Sequence, residues 1–349
     1  MYRVVQWSTG NVGRRSLRAI VGHPELELVG LYAHGEDKRG RDAGELAGIG
    51  ATGVRATGDV EELLGLGADC LCFNGLFSDT ELLARFLESG TNVVTTAAFL
   101  TANHLPPGER ERLVEAAGRG GASLFGSGIN PGFMDMITAA LTGVCERVHS
   151  LRMTENVDCS SYASPGTWEH LGWGRPLGQQ RIDPSSNAMT GSFYDGLDLI
   201  AGVLGVELED YANETEFALA TRDLDLGWMA FPKGTVAGQR TTFAGIFDGR
   251  RVIELGVVWT MADDLEPQWP GTRGYSIEID GEPGVRASVE IRPSAVDGVA
   301  LESDHMDLVM VATALPAVHA IPHVCRARPG IVGYRDLPLF GAAQSLSGG

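Results

Sequence analysis

Short apolar runs alternate with amphipathic stretches over roughly the first 130 residues. This alternation is typical of a parallel β-sheet whose strands are linked by helices. In the last amphipathic stretch, Leu113, Ala116 and Ala117 recur at helical spacing against charged neighbours. The pattern predicts strands at 3–7, 27–33, 69–74, 91–96 and 122–126, and helices near 12–22, 59–66, 79–89 and 107–119.

Beyond about residue 148 the apolar pattern changes to longer strands, several of them joined by turn pairs such as Asp248-Gly249. We therefore expect a second, α+β domain with a mainly antiparallel sheet over 148–304, while the first domain spans 1–147 and is completed by 305–340. A flexible tail follows over 341–349. The predicted strands of the second domain are 150–158, 214–222, 240–248, 251–260, 274–280 and 285–292, and the later helices are 193–204 and 305–320.

Charge and cysteine content narrow the possible partners and location. The chain has 45 acidic residues against 27 Lys and Arg, a net charge of −18, which repels nucleic acid and anionic membranes. The five cysteines contain no C-x-x-C pair, and no ligand spacing indicates a metal site. The chain opens directly on a strand without a visible signal peptide, so we expect a cytoplasmic protein without metal that acts on a small molecule.

The most informative motif is the turn after the first strand. The strand 3–7 leads into a turn at Gly10 and a helix that begins near Gly13, with Ser8 in place of the first glycine of G-x-G-x-x-G. Such a turn lets the backbone approach a pyrophosphate at a helix N-terminus, although an ordinary strand–helix turn is the alternative. The motif predicts an N-terminal Rossmann dinucleotide-binding domain, in which the cofactor contacts Ser8, Thr9, Gly10, Asn11, Val12, Gly13 and Arg14.

The end of the second strand bears on the choice between NAD and NADP. An NAD enzyme usually places a carboxylate there, on the ribose hydroxyl, but this strand ends without one. The basic residues His34, Lys38 and Arg39 follow, which favours the 2′-phosphate of NADP. Glu36 lies close enough in sequence to bind the ribose hydroxyl of NAD instead. The third alternative is that these charged residues form a solvated loop without a role in cofactor binding.

Polar residues at later strand ends are expected to line the nicotinamide side, because ligands bind at the carboxyl ends of such strands. They are Asn74, Thr95 and Thr96. Asn130, in a glycine-punctuated turn before a helix, is placed to bind a carboxamide or a substrate oxygen. The alternative for Asn130 is a helix cap.

Six segments at both ends of the chain form a further pattern: Thr9-Gly10-Asn11-Val12-Gly13-Arg14, Gly40-Arg41-Asp42-Ala43-Gly44, Asn92-Val93-Val94-Thr95-Thr96, Gly128-Ile129-Asn130-Pro131-Gly132-Phe133, Ala320-Ile321-Pro322-His323-Val324 and Ala327-Arg328-Pro329-Gly330. Together they resemble the dihydrodipicolinate-reductase-like NAD(P)-dependent oxidoreductases, most closely 2,4-diaminopentanoate dehydrogenase and the native amine dehydrogenases. The resemblance implies a Rossmann domain completed by C-terminal segments, an inserted substrate domain, NAD(P) as cofactor and a homodimer.

The chain departs from this family at two places. Dihydrodipicolinate reductase has paired histidines followed by a catalytic lysine, but Lys38 and Lys233 lie beside no such pair. The amine dehydrogenases have a catalytic glutamate a few residues after the strand that corresponds to 92–96. This chain has Ala97-Ala98-Phe99-Leu100 there, and its next acid is Glu109.

A replacement proton carrier must therefore come from elsewhere. Glu155 follows an apolar strand segment, and His170 lies in an aromatic, glycine-rich segment and has a pKa suited to proton transfer near neutrality. Tyr162 and His104 are further candidates, while for each of the four an ordinary surface or core role is the alternative.

We predict an NAD(P)-dependent oxidoreductase that moves a hydride to or from a C=O or C=N carbon of a small, largely apolar substrate: a ketone, amine or imine. Asn130 orients the substrate or carboxamide, and Glu155 or His170 handles the proton. The alternative is a non-catalytic dinucleotide-binding sensor or regulatory protein, which the missing family glutamate keeps open.

Overall fold

The fold is taken from a computed structural model, which describes residues 1–97, 100–179, 188–269, 271, 273–293, 295–296, 299–300 and 305–343. The chain divides into two compact units. Unit 1 comprises Met1–Met134 and Met310–Gly349, and unit 2 comprises Asp135–Val309. The sequence predicted that the first domain is interrupted after residue 147, which is 13 residues beyond Met134, where the first segment of unit 1 ends. It predicted that the domain resumes at residue 305, five residues before the second segment of unit 1 begins at Met310.

Unit 1 contains a parallel sheet of seven strands in the order β18-β6-β5-β4-β1-β2-β3. This arrangement confirms the predicted Rossmann-type α/β fold. The strands are β1 (Tyr2–Trp7), β2 (Leu26–Tyr32), β3 (Ala56–Thr57), β4 (Cys70–Phe73), β5 (Asn92–Thr95), β6 (Ser123–Gly126) and β18 (Gly330–Ile331). The helices are α1 (Asn11–Gly22), α2 (Ala43–Ala47), α3 (Val60–Gly65), α4 (Thr80–Glu88) and α5 (Glu109–Gly120), with a 3₁₀ turn at Glu36–Lys38.

Alternate residues of the central strands enter two apolar clusters, as a sheet covered on both faces requires. Leu71 and Phe73 of β4 pack in one cluster with side chains of α4 and α5. Cys70 and Cys72 pack in the other with the end of α9 (His305–Val324). By length and composition α9 is the one helix among the described residues that could cross a membrane, but half of its apolar window is buried within the chain.

Unit 2 is built on a seven-stranded sheet in the order β13-β8-β11-β12-β7-β14-β15, in which only β7 and β12 pair in parallel. The predicted mainly antiparallel sheet is thereby confirmed. Its strands are β7 (Arg147–Asp158), β8 (Asp210–Ala220), β11 (Val236–Phe247), β12 (Arg250–Thr260), β13 (Leu265–Glu266), β14 (Gly274–Glu282) and β15 (Val285–Val289). Outside the sheet lie α6 (Phe133–Leu141), a 3₁₀ turn (Thr142–Val144), α7 (Pro165–His170), α8 (Ala188–Leu204) and the short strands β9 (Leu224–Asp225), β10 (Ala230–Phe231), β16 (Ala295–Val296) and β17 (Val299–Ala300).

The two faces of this sheet differ in polarity. Along β7 the buried residues alternate with polar ones, and they include Met153, Glu155 and Val157. The opposite face carries ion pairs between neighbouring strands, such as Arg152 with Glu254. Glu155 therefore lies on the apolar face, where an acidic side chain requires a specific explanation.

The contact between α4 and α5 yields a test of stability. A Cβ on Gly120 would lie 1.8 Å from the carbonyl oxygen of Leu87, whereas a Cβ on Gly118 of the same helix meets nothing within 4 Å. We expect Gly120→Ala to lower the free energy of unfolding by about 1–3 kcal/mol because the backbones must separate. Gly118→Ala, the matched control, should raise it by about 0.5–1 kcal/mol. Urea unfolding measures both, and equal effects would contradict this close approach.

Candidate functional site

The turn between β1 and α1 has the geometry expected of a phosphate-binding turn. Ser8 adopts a positive φ of 77°, and its hydroxyl donates to the Asn74 carbonyl oxygen at 2.8 Å. A Cβ on Gly13 would lie 2.5 Å from the Ser8 carbonyl oxygen, so only glycine allows α1 to begin this close to the turn. This is the role of the last glycine in a dinucleotide-binding turn.

The beginning of α1 leaves room for an anion. Gly10 is exposed, and a Cβ there meets nothing within 4 Å. No side chain caps α1 and its first turn has no acid, whereas α2, α3 and α4 each begin with an aspartate cap. The first amides of α1 have no side-chain acceptor, and they lie at the positive end of the helix dipole next to the open space at Gly10. Ser8 through Arg14 therefore fit a dinucleotide pyrophosphate.

A hydrogen-bond network joins the ends of neighbouring strands at this turn. The Gln6 amide nitrogen donates to the Ser8 carbonyl at 3.1 Å and to the Asn74 side-chain oxygen at 2.8 Å. The Asn74 amide nitrogen in turn donates to the Thr96 hydroxyl at 2.9 Å. Thr95 is fully buried, and its hydroxyl accepts from the Ala97 N–H. Of the predicted strand-end residues, Asn74 and Thr96 therefore connect to the turn, while Thr95 supports the backbone beside it.

The basic residues after β2 differ in what they contact. The Lys38 ammonium lies 3.2 Å from the Thr9 hydroxyl, so this cation reaches back to the glycine turn. Arg39 donates to the Ala33 and His34 carbonyl oxygens, and His34 itself is exposed. The Glu36 side chain is 92% exposed, 3.9 Å from Arg39. Lys38 is thus the charged residue of this segment that the structure brings to the turn.

The turn that contains Asn130 follows β6 in unit 1. The Asn130–Pro131 peptide is cis, and the N–H of Phe133 at the start of α6 donates to the Gly128 carbonyl. Asn130 itself is partly buried, three residues before the first residue of α6.

Unit 2 holds the buried carboxylate of Glu155, which is 6% exposed. The Trp259 indole donates to Glu155 Oε1 at 2.8 Å. Tyr275 lies directly opposite Glu155 in the β7–β14 pairing, on the same buried face. A carboxylate buried in an apolar face needs hydrogen-bond donors in place of water, and the Trp259 indole is one such donor.

The other candidate proton carriers, Tyr162, His170 and His104, and the two tryptophans near His170 lie in different surroundings. Trp168 and Trp173 are each 1% exposed and pack against one another, so they are core side chains. Tyr162 packs edge-on against Trp168, and burial raises its pKa. His170 is the last residue of α7, and its side chain lies outside the described residues. His104 is partly buried in the segment between β5 and α5 of unit 1.

Sequence reasoning missed Gln6, Trp259 and Tyr275. A signal existed for Gln6, which is a polar residue inside the otherwise apolar run of β1. For Trp259 and Tyr275 no local signal existed, because each reaches Glu155 only through the pairing of strands that are far apart in sequence.

Comparison with known proteins supplies the family. A family model described as the 2,4-diaminopentanoate dehydrogenase C-terminal domain matches residues 133–347. The amine dehydrogenase of Streptomyces virginiae is 31% identical over 99% of both chains. The chain belongs to the amine dehydrogenase and 2,4-diaminopentanoate dehydrogenase family. The 2,4-diaminopentanoate dehydrogenase of Acetoanaerobium sticklandii is a further relative, 26% identical over 72% of this chain and 68% of its own.

Membership of this family confirms the resemblance identified in the sequence. It also confirms the prediction that the chain is an NAD(P)-dependent dehydrogenase. Among solved structures, that of the amine dehydrogenase from Mycobacterium smegmatis superposes with a TM-score of 0.76 over 97% of both chains at 22% identity, which supports the fold. In the segment Ala97-Ala98-Phe99-Leu100, where the sequence comparison predicts that the family glutamate is replaced, Ala98 and Phe99 lie outside the described residues.

The open space at Gly10 yields a test of the cofactor site. We expect Gly10→Ala to raise the Kd of NADPH at least tenfold, because the added methyl enters the space that the first amides of α1 face. The thermal unfolding midpoint should change little, since the methyl meets no protein atom. Gly22→Ala, at the other end of α1 and equally unobstructed, is the matched control. It should leave the Kd unchanged and, like Gly118→Ala, raise the midpoint slightly because alanine is favoured over glycine in a helix. Calorimetric titration with NADPH measures the Kd, and unaltered binding by Gly10→Ala would contradict the assignment.

Proposed function

We propose that the enzyme interconverts an amine with a ketone or imine, transferring a hydride between NADP and the C–N or C–O carbon of a small, largely apolar substrate. The names of two relatives, an amine dehydrogenase and 2,4-diaminopentanoate dehydrogenase, support an amine as one member of the pair. In the oxidative direction, R₂CH–NH₃⁺, NADP⁺ and water give R₂C=O, NH₄⁺, NADPH and H⁺. Bound NADP supplies only the hydride acceptor, so the chain must hold the substrate and carry the proton.

The observation that carries this proposal is the buried carboxylate of Glu155. The segment directly after β5, Ala97-Ala98-Phe99-Leu100, contains no acid. Glu155 is a buried acid elsewhere in the chain, 6% exposed and held by the Trp259 indole. In our proposal Glu155 accepts the proton released by the amine nitrogen and returns it in the reverse direction. His170 is the second candidate for this step, and Asn130 orients the substrate or the carboxamide.

Ammonia dependence tests the reaction class. With NADPH and a panel of small apolar ketones, we expect NADPH consumption that requires added ammonium, because the amine nitrogen must come from it. Absorbance at the NADPH band measures the rate with and without ammonium. Turnover independent of ammonium would make the enzyme a ketone reductase. If no ketone of the panel is reduced although NADPH still binds, the result would favour a dinucleotide sensor.

We propose NADP rather than NAD as the preferred cofactor, and Lys38 as the residue that selects it. Lys38 reaches the glycine turn at Thr9, while the carboxylate of Glu36 points to solvent beside Arg39. A cation at this position attracts a 2′-phosphate, whereas a carboxylate there would repel it. Arg14, in the first turn of α1, adds a second positive charge nearby in sequence.

Replacement of Lys38 tests this selection. We expect Lys38→Gln to raise the Kd of NADPH about tenfold or more, the loss of one charge-assisted contact, while the Kd of NADH stays within twofold. Lys233→Gln is the matched control, since Lys233 is the other lysine of the chain and lies in unit 2. Titration with both cofactors measures the ratio. An equal increase in Kd for NADPH and NADH would show that Lys38 does not contact the 2′-phosphate.

A further inference from the structure

The hydroxyl of Tyr275 is buried beside a carboxylate without forming a regular hydrogen bond. Tyr275 is 4% exposed, and among the residues that the structure describes its hydroxyl interacts with Glu155 but has no partner at regular hydrogen-bond distance and angle. A buried hydroxyl left in this state is costly, by about 1–3 kcal/mol, unless something else binds it. The position of Tyr275 therefore points to a small polar ligand.

Two nearby carboxylates indicate that this ligand carries a positive charge. Burial raises the pKa of Tyr275, and the nearby carboxylates of Glu155 and Asp135 raise it further. Tyr275 thus remains a neutral phenol, whose oxygen accepts a hydrogen bond next to two groups that are acceptors when ionised. A phenol with two carboxylates near it suits a cation that donates several hydrogen bonds.

The surroundings favour a small cation over a bulky one. Asp135, in the first turn of α6, is fully buried. A Cβ on Gly196 of α8 would lie 2.8 Å from the Asp135 carboxylate, so this helix passes directly over the group and glycine is what permits it. Inside such an enclosure an electrostatic interaction is stronger than in water.

We propose that Tyr275, Glu155 and Asp135 form the site in unit 2 that binds ammonium, the nitrogen donor of the reductive direction. The inference rests on the proposed function, in which ammonium is a co-substrate. Ammonium offers four N–H donors at the size of a water molecule, which suits a buried position beside a phenol and two carboxylates. Glu155 then receives the proton that ammonium must lose before its nitrogen can attack a carbonyl carbon: the N–H bond breaks and the carboxylate O–H bond forms.

The first test needs no turnover. The holoenzyme with NADPH is heated in ammonium chloride or in sodium chloride of equal ionic strength, and the unfolding midpoint is compared. We expect ammonium to raise the midpoint of the wild type by at least about 2 °C, since a ligand that binds only the folded state stabilises it. The shift should vanish in Tyr275→Phe and Glu155→Gln. It should persist in Tyr2→Phe, whose hydroxyl is a partner of Arg326 in unit 1, and in Glu254→Gln on the opposite face of the sheet.

The second test separates this site from the proposed reaction. Tyr275→Phe should raise the KM for ammonium about tenfold and leave the KM for NADPH within twofold, because only the nitrogen loses a contact. Glu155→Gln should lower kcat by about 10²–10⁴.

Three outcomes are distinguishable. If the wild type requires ammonium but Tyr275→Phe matches it in both tests, the ammonium site is wrong and the reaction stands. If the wild type reduces ketones without ammonium, yet ammonium raises its midpoint through Tyr275, the site stands and the reaction class is wrong. If ammonium has no effect on the midpoint of the wild type, the site holds water instead and the inference fails.

Discussion

The carboxyl edge of the parallel sheet depends on the buried amide of Gln6. This side chain links the end of β1 to Asn74 after β4, and Asn74 continues the link to Thr96 after β5. Each bond contributes on the order of 1 kcal/mol, but a broken one leaves a buried polar group unpaired, which costs more. The network therefore acts as a unit and holds Ser8 in its positive-φ conformation, on which the open N-terminus of α1 depends.

Unit 2 meets a different constraint, which is the burial of a charge. Moving a carboxylate out of water is expensive unless donors replace the lost water. For Glu155 a donor comes from Trp259, and the tryptophan is itself packed edge-on against the buried Trp168. The aromatic segment that contains Trp168 thus contributes to the core that shields this carboxylate.

The two clusters differ in how much of them the sequence could reveal. Ser8 through Arg14 are contiguous, and their chemistry follows from backbone geometry: a strand, a turn and an uncapped helix. Local sequence encodes such geometry, so the turn was predictable, as was the alternation of strands and helices around it. The short elements β3 and α2 were not, since two and five residues carry too little periodicity.

The sequence by itself determined the class of fold, the glycine turn and the family, because each of these depends on short runs of neighbouring residues. Only the tertiary structure decided what surrounds Glu155. Tyr275 stands 120 residues further along the chain, and the register of β14 on β7 is what places it opposite that carboxylate. A shift of one residue in that register would turn Tyr275 to the other face of the sheet. Such pairing depends on the packing of the whole unit, which no local pattern of side chains contains.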